Sequence, residues 1–366
     1  MELIIDKKIL MDVLDKIAKV IPAKPAIAST GGILLEAKKD GITLTATDLQ
    51  LTLKLFLECT VKDKTDVLIP GKKIISLIRE IPEEKVKIAT GESGIVIEDK
   101  NFQYKFLIMD INDYPKLPSD KDFAGDENTL NISSEVFQEM ITRTAYCINP
   151  DEPRIYFRGV LIDLRDGHLN MVATDTRRLS LVRKPMQTGK KMKLILPQRL
   201  LEVLPSIVKE GEMTISFTKN QIRFQTDRVT LISQLLEGEF PDYMKVIPPS
   251  EKLSSATIEA KQLLSSLERL VLLSSDTFNS VKMSFRRDML VLNIESPQLG
   301  TGEEKLKIQY SGPDATIIFN PVYFIQFLKT VPQETVTFSF ADPLKPARLN
   351  GTGADDYIYV VMPIKP

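Results

Sequence analysis

The segment Gly32-Ile33-Leu34-Leu35-Glu36-Ala37-Lys38, with Ile42-Thr43-Leu44-Thr45-Ala46-Thr47-Asp48 after it, returns further along the chain. It reads there as Gly159-Val160-Leu161-Ile162-Asp163-Leu164-Arg165 and Leu169-Asn170-Met171-Val172-Ala173-Thr174-Asp175. Both pieces move by the same 127 positions, from 32 to 159 and from 42 to 169. A third pair, Ser280-Val281-Lys282-Met283-Ser284-Phe285-Arg286 and Leu290-Val291-Leu292-Asn293-Ile294-Glu295-Ser296, keeps only the apolar pattern, yet its two pieces again move together, by 121 positions. Pro70 follows a similar spacing, reappearing as Pro197 and Pro321, each at the head of a helix-like run. A unit of roughly 120 residues exceeds the 20 to 50 of solenoid repeats and has the size of a whole domain. The chain therefore reads as three tandem domains, 1–120, 128–248 and 252–366.

Each repeat divides again into two similar halves, an amphipathic helix followed by strands. In repeat one, Ile9, Leu10, Val13, Leu14 and Ile17 share a helical face, with Lys7, Lys8, Lys16 and Lys19 mostly on the other. Ile74, Ile75, Leu77, Ile78 and Ile81 form the second stripe, with Lys72, Lys73 and Arg79 toward the polar side, and Pro82 ends that helix. Repeat two supplies Val136, Phe137, Met140 and Ile141, then Leu200 to Val208; repeat three supplies Leu263 to Val271, then Phe324 to Val331. Runs such as Leu51 to Leu57 alternate apolar and polar residues, the pattern of antiparallel strands covered on one face. The expected fold class is α+β, each domain having two helices on one face of antiparallel sheets of about eight strands, with the other face toward solvent. Asp40-Gly41, Asp166-Gly167 and Gly91 to Gly94 mark hairpin tips that call for positive φ, and Pro115 to Asn128 and Pro248-Pro249-Ser250 mark linkers.

Chemistry is sparse. Lysine and arginine number 48 against 49 aspartates and glutamates, so no overall field attracts a polyanion, and nucleic-acid binding must be local. Met1 to Asp6 lacks the pattern of a signal peptide and no apolar run reaches membrane-span length, so a cytoplasmic protein without membrane contact is expected. Cys59 and Cys147 fit reduced structural thiols. His168 sits at a hairpin tip with no nucleophile implied nearby, and the Thr47-Asp48 and Thr174-Asp175 pairs fit strand-end turns. With no Gly-rich phosphate loop and no zinc spacing, neither enzyme activity nor a cofactor is expected.

Ala173-Thr174-Asp175 with Arg178-Leu179, Phe240-Pro241-Asp242-Tyr243 before Val246, Tyr310-Ser311-Gly312, and the terminal Tyr359-Val360-Val361-Met362-Pro363 occur in an order that, with the triplication, resembles the bacterial beta sliding clamps along the full length. These are the processivity subunits of DNA polymerase III. The resemblance implies a head-to-tail homodimer, a ring with helices lining a hole for double-stranded DNA. It implies DNA contacts at Lys24, Lys72 and Tyr156, with Lys24 and Lys72 standing where arginines are common. Tyr104 and Phe106 on one side, and Leu272 and Leu273 on the other, correspond to the dimer seam. Short Gln-Leu-x-Leu-Phe-like peptides of the replicative polymerase and clamp loader would dock between Phe157, Thr174, Thr176, Arg177, Arg178, Leu179, Pro241, Val246, Pro346, Val360, Met362 and Pro363. Many relatives carry Gly-His where this chain has Thr176-Arg177, which adds bulk and positive charge. A non-ring scaffold would keep such a pocket but sediment as a monomer.

Overall fold

The structure, a computed structural model, describes residues 2–91, 94–123, 125, 128–188, 190–249, 253–274 and 279–365. Repeat one runs β1 (Glu2–Asp6), α1 (Lys7–Ala18), β2 (Gly32–Lys38), β3 (Gly41–Thr47), β4 (Leu51–Glu58), β5 (Asp66–Pro70), α2 (Gly71–Glu80), β6 (Lys85–Gly91), β7 (Gly94–Asp99) and β8 (Phe102–Leu107). Repeat two follows with β9 (Thr129–Ser133), α3 (Ser134–Thr144), β10 (Gly159–Arg165), β11 (His168–Thr174), β12 (Arg178–Pro185), β13 (Met192–Pro197), α4 (Gln198–Ile207), β14 (Glu212–Phe217), β15 (Gln221–Gln225) and β16 (Val229–Gln234). Repeat three has β17 (Ser254–Glu259), α5 (Ala260–Leu270), β18 (Val281–Arg286), β19 (Met289–Ser296), β20 (Gly300–Lys307), β21 (Gln309–Ser311), β22 (Ala315–Phe319), α6 (Pro321–Leu328), β23 (Thr335–Phe340), β24 (Ala347–Gly351) and β25 (Tyr357–Val361).

The opening motif forms an antiparallel hairpin three times in one register. Leu35 faces Leu44, Ile162 faces Met171 and Met283 faces Leu292, so the shifts of 127 and 121 carry each pair onto the next. Asp166 and Gly167 close the second hairpin with φ of 53° and 72°, the two positive values of a type I′ turn. His168 completes that tip, its Nδ1 donating to the Asp166 carbonyl at 2.8 Å. Gly41 differs from the expectation. It is a paired strand residue, and a Cβ there would stand 2.4 Å from the Leu57 carbonyl oxygen, so close approach of a neighbouring strand requires it rather than positive φ. Residues 92–93 of the Gly91 to Gly94 tip lie outside the described residues, as do Ser250 and positions 124, 126 and 127 of the linkers.

The helices follow their stripes except at Ile9, which is 54% exposed. Asp6 caps α1, accepting from the amides of Lys8 at 2.9 Å and Ile9 at 3.2 Å, and Leu10, Leu14 and Ile17 are buried. Ile74, Ile75 and Ile78 of α2 are buried as well, each burial contributing about 1.5–3 kcal/mol relative to exposure. Several of the basic groups opposite these stripes are engaged locally. Lys16 pairs with Asp12 at 2.6 Å, Arg79 with Asp15 at 2.7 Å, and Lys7 donates to the Arg79 carbonyl at 2.9 Å. Among the described residues, no helix is long and apolar enough to cross a membrane.

The chain forms two compact units, Met1–Phe137 with Arg199–Leu235, and Gln138–Gln198 with Leu236–Pro366. The first holds an eight-stranded sheet, β5-β2-β3-β4-β16-β15-β14-β9, and a four-stranded sheet, β1-β6-β7-β8. The second holds a nine-stranded sheet, β13-β10-β11-β12-β25-β24-β23-β17-β21, and a four-stranded sheet, β20-β19-β18-β22. In each large sheet the first half of one repeat joins the second half of the next, through β4 with β16 and β12 with β25, so main-chain bonds run across the repeat borders.

One expectation fails in the second unit. The alternation assigned one sheet face to solvent, yet β10, β12 and β25 are buried on both faces for most of their length. Tyr357 and Tyr359 pack against Phe327 of α6 with ring centroids at 5.2 and 4.9 Å. The alternate residues, Leu161, Val172, Leu179, Leu181, Ile358 and Val360, meet Phe157, Phe240 and Tyr243, which come from non-strand segments folded over the outer face. Two apolar layers result, and the groove described next lies in the outer one.

Candidate partner-peptide groove

Thr174 to Arg178 form a turn locked by its own side chains. Thr174 Oγ1 donates to the Arg178 carbonyl at 2.6 Å and accepts from the Thr176 amide at 3.1 Å. Asp175 Oδ1 accepts from the amides of Arg177 and Arg178, both at 3.0 Å. Repeat one builds the same turn from Thr47 and Asp48, bond for bond. The Thr-Asp pairs thus act as strand-end turns, as their chemistry suggests. Thr176 stands at φ 72° and Leu49, its counterpart, at 76°; a side-chain-bearing residue held there stores about 1–3 kcal/mol, offset by the surrounding bonds.

Arg178 is 8% exposed and turned into the protein. Its guanidinium binds Asp175 Oδ2 at 2.9 Å, the Tyr146 carbonyl at 2.7 Å and the Gln326 side chain, and lies 4.4 Å from the Tyr323 ring centroid. A buried charge needs partners of this kind. Arg178 therefore anchors the turn, while Arg177 is the exposed arginine.

The opposite wall hangs on Tyr243. Its hydroxyl donates to buried Asp163 Oδ2 at 2.9 Å, Arg165 Nε stands 3.2 Å from the same carboxylate, and the Arg165 guanidinium lies 4.9 Å from the Tyr243 ring centroid. Burial pushes the Tyr243 phenol above the ordinary tyrosine range, with the negative Asp163 adding to the shift. This fixes a 3-10 turn, Tyr243–Val246, which presents Val246 beside Pro241.

Between these walls lies a mainly apolar groove of about 730 Å³. Phe157, Thr174, Thr176, Arg177, Arg178, Leu179, Pro241, Val246, Pro346, Val360 and Met362 line it, and Pro363 falls outside the lining. The sequence reading missed Phe240, Asp242, Tyr243, Lys245, Ile247, Pro248, Pro249, Leu253, Ala341 and Lys345. The Phe240-Pro241-Asp242-Tyr243 motif was available as a signal for the first few. The first unit carries a smaller counterpart of about 310 Å³, lined by Thr47, Leu49, Gln50 and Thr52 of repeat one and by Gln221, Ile232 and Gln234 of repeat two, where Leu117 and Pro118 of the linker help form the wall.

None of the remaining predicted residues lines the groove. Lys24 and Lys72 are exposed in the first unit. Tyr156, in the second, is half-buried, edge-on to Phe157 at 4.7 Å and close to Gly238. Tyr104 is 47% exposed on edge strand β8, which also carries half-buried Phe106, and Leu272 is 76% exposed beside half-buried Leu273. No cluster of three or more His, Cys, Asp or Glu suited to a metal occurs among the described residues.

Three family models of the DNA polymerase III beta subunit match in order: the N-terminal domain over residues 1–118, the central domain over 131–242 and the C-terminal domain over 244–365. The chain belongs to the bacterial beta sliding clamp family. It is 27% identical to the beta sliding clamp of Chlamydia pneumoniae, covering all of this chain and 99% of that protein, and 25% identical to that of Pseudomonas aeruginosa, covering both in full. The fold matches the crystal structures of the DNA polymerase III beta subunit from Pseudomonas aeruginosa, with a TM-score of 0.93 at 23% identity over the whole of both chains. It also matches the DNA polymerase sliding clamp from Bacillus subtilis, with a TM-score of 0.94 at 21% identity over all of this chain and 99% of that one.

Proposed function

We propose that this chain closes head to tail with a second copy into a ring that encircles double-stranded DNA and slides along it, as a non-catalytic subunit in the cytoplasm. The observation that carries this reading is the pattern of strand edges. At β4–β16, Leu53 faces Leu231; at the equivalent place one repeat later, β12–β25, Ser180 faces Tyr359. Continuing the series leaves β8 and β20, the end strands of the two small sheets. It sets Tyr104 opposite Gly302 of a second copy.

The side chains support that register. Leu231 and Tyr359 are fully buried, whereas Tyr104, their equivalent in repeat one, is 47% exposed. Tyr146 packs on Tyr359 with centroids 6.0 Å apart, and Leu272 is its equivalent in repeat three, so closure would seat Leu272 against Tyr104 of the other copy. Leu273 and Leu270 already crowd Gly302, each 2.9 Å from where a Cβ would stand. Tyr104, Phe106, Leu272 and Leu273 then meet in one seam. Six similar domains, with borders near 1–120, 128–248 and 252–366 in each copy, need a rotation of about 60° apiece to close.

Lys24, Lys72 and Tyr156 are the proposed DNA contacts. Phosphate contacts carry no sequence information, and a net charge of −1 keeps the grip weak, so enclosure rather than affinity retains the duplex. The groove takes short peptides of the replicative polymerase and of the clamp loader, apolar side chains entering between Leu179, Val246, Val360 and Met362. Tethering raises the polymerase's effective concentration at the primer end by about 10² to 10⁴. No cofactor takes part.

The test is topological. Protein loaded by a bacterial clamp loader on nicked circular plasmid should stay bound, and leave rapidly once the plasmid is cut; equal retention on both forms would refute enclosure. Sedimentation at micromolar concentration should give a dimer, and a monomer that still binds peptide would favour the scaffold reading.

A further inference from the structure

We propose that the groove selects peptides whose apolar anchor is flanked by acidic side chains, an inference that rests on the docking role given above. Three strand ends meet at one end of the nine-stranded sheet, in the order β12, β25, β24. Arg178, Val361 and Ala347 lie in one row across them. Arg177 precedes the first, Met362 follows the second, and Lys345-Pro346 precede the third, with the Met362 amide donating to the Arg177 carbonyl at 2.8 Å. Two strand spacings of about 4.8 Å separate the outer backbones, so Arg177 and Lys345 flank Met362, the apolar floor at the groove mouth.

The charges of the described residues around this mouth do not balance. Among the described lining residues the only carboxylate is Asp242, and Lys245 stands 3.5 Å from it. Asp175, just behind the wall, is taken by Arg178 and by the turn amides. Asp342 accepts from the Leu344 amide at 2.7 Å within its own turn. Arg177 and Lys345 are exposed and have no salt-bridge partner among the described residues. An apolar side chain seated over Met362 thus brings its chain neighbours between two uncompensated cations. Carboxylates there gain attraction that screening by salt will weaken.

Two labelled peptides carrying Gln-Leu-Ser-Leu-Phe, flanked on both sides by two glutamates or by two glutamines, are titrated into the full chain by fluorescence anisotropy. The glutamate peptide should bind about three- to tenfold tighter near 50 mM salt and less than twofold tighter near 500 mM. In the variant Arg177→Gln with Lys345→Gln the ratio of the two affinities should fall to about one, and Arg177→Lys should keep most of it. Equal affinities for the wild type, or an undiminished ratio in the double variant, would overturn the proposal. So would displacement of the peptide by a short DNA duplex at equal ionic strength, which would make the cations a DNA contact. If the glutamine peptide binds and the ratio is one, only the acidic preference fails; if neither peptide binds, the docking role fails and takes the preference with it.

Discussion

Replacing Tyr243 by phenylalanine deletes one oxygen on the far side of the groove wall and should loosen the whole wall. The lost bond, 2.9 Å to the buried Asp163 carboxylate, is one to a charged acceptor, a class whose net contribution is about 1.5–3 kcal/mol. Arg165 still faces Asp163, so the carboxylate is not left bare and the cost stays within that range. For a unit of this size each kcal/mol corresponds to about 2–4 °C, giving a fall of about 3–12 °C in the melting of the second unit by differential scanning calorimetry. Tyr114→Phe in the first unit is the internal comparison. Its hydroxyl makes a bond of 3.3 Å to the neutral Thr45 carbonyl, whose loss should cost about 0.5–1.5 kcal/mol. Peptide affinity should fall in Tyr243→Phe, because the turn carrying Val246 is no longer pinned, and Asp163→Asn added to it should cost little more. A loss in Tyr243→Phe no larger than in Tyr114→Phe, with peptide affinity intact, would refute the claim that the Asp163 bond holds the wall.

Thr176→Gly should raise the melting point of the second unit, by about 1 kcal/mol of relieved backbone strain at φ 72°, and destabilisation in calorimetry would contradict that account. Gln103→Cys combined with Glu303→Cys should form intermolecular disulfides on mild oxidation, since the proposed seam puts these positions opposite each other; monomers alone on a non-reducing gel would count against that register. Glu304 accepts from Arg269 at 2.7 Å on both oxygens and from Ser266 at 3.0 Å, and the Arg269 bonds hold its carboxyl below the ordinary glutamate range. A lowered folded-state pKa adds stability above the unfolded value of about 4.3 and loses it as pH falls through the folded value. Glu304→Gln should therefore flatten the acid end of the stability curve, read by denaturant titration at several pH values, and an unchanged slope would exclude the pair from acid sensitivity. Tyr357, pushed up to about 12 by burial, and Tyr146 and Tyr359, which burial holds well above the ordinary tyrosine range, should resist ionisation in an ultraviolet titration until the second unit unfolds; early titration of all tyrosines would refute their burial.

By itself the sequence determined the repeats, the hairpins and the turns, because each of these is set by neighbours in the chain. Ile162 meets Met171 and Asp166-Gly167 closes the tip through alternation and left-handed φ over ten residues, and Thr174 with Asp175 locks its turn within five. About half of the groove lining was legible through family resemblance, since its motifs are contiguous. Tertiary structure decided the rest. That β12 takes β25 as its neighbour, that Tyr243 finds Asp163 eighty positions away, and that Arg178 is spent on Tyr146 and Gln326 depend on which segments meet in space. The outer sheet face shows the difference most plainly: alternating residues such as Leu161 and Leu179 read as one covered face, but it took Phe157, Phe240 and Tyr243, from segments with no periodicity, to bury it. Periodicity reports which way a side chain points along its own strand; what it then meets is a property of the assembled fold, where an unsatisfied edge or apolar face takes the partner that buries it best.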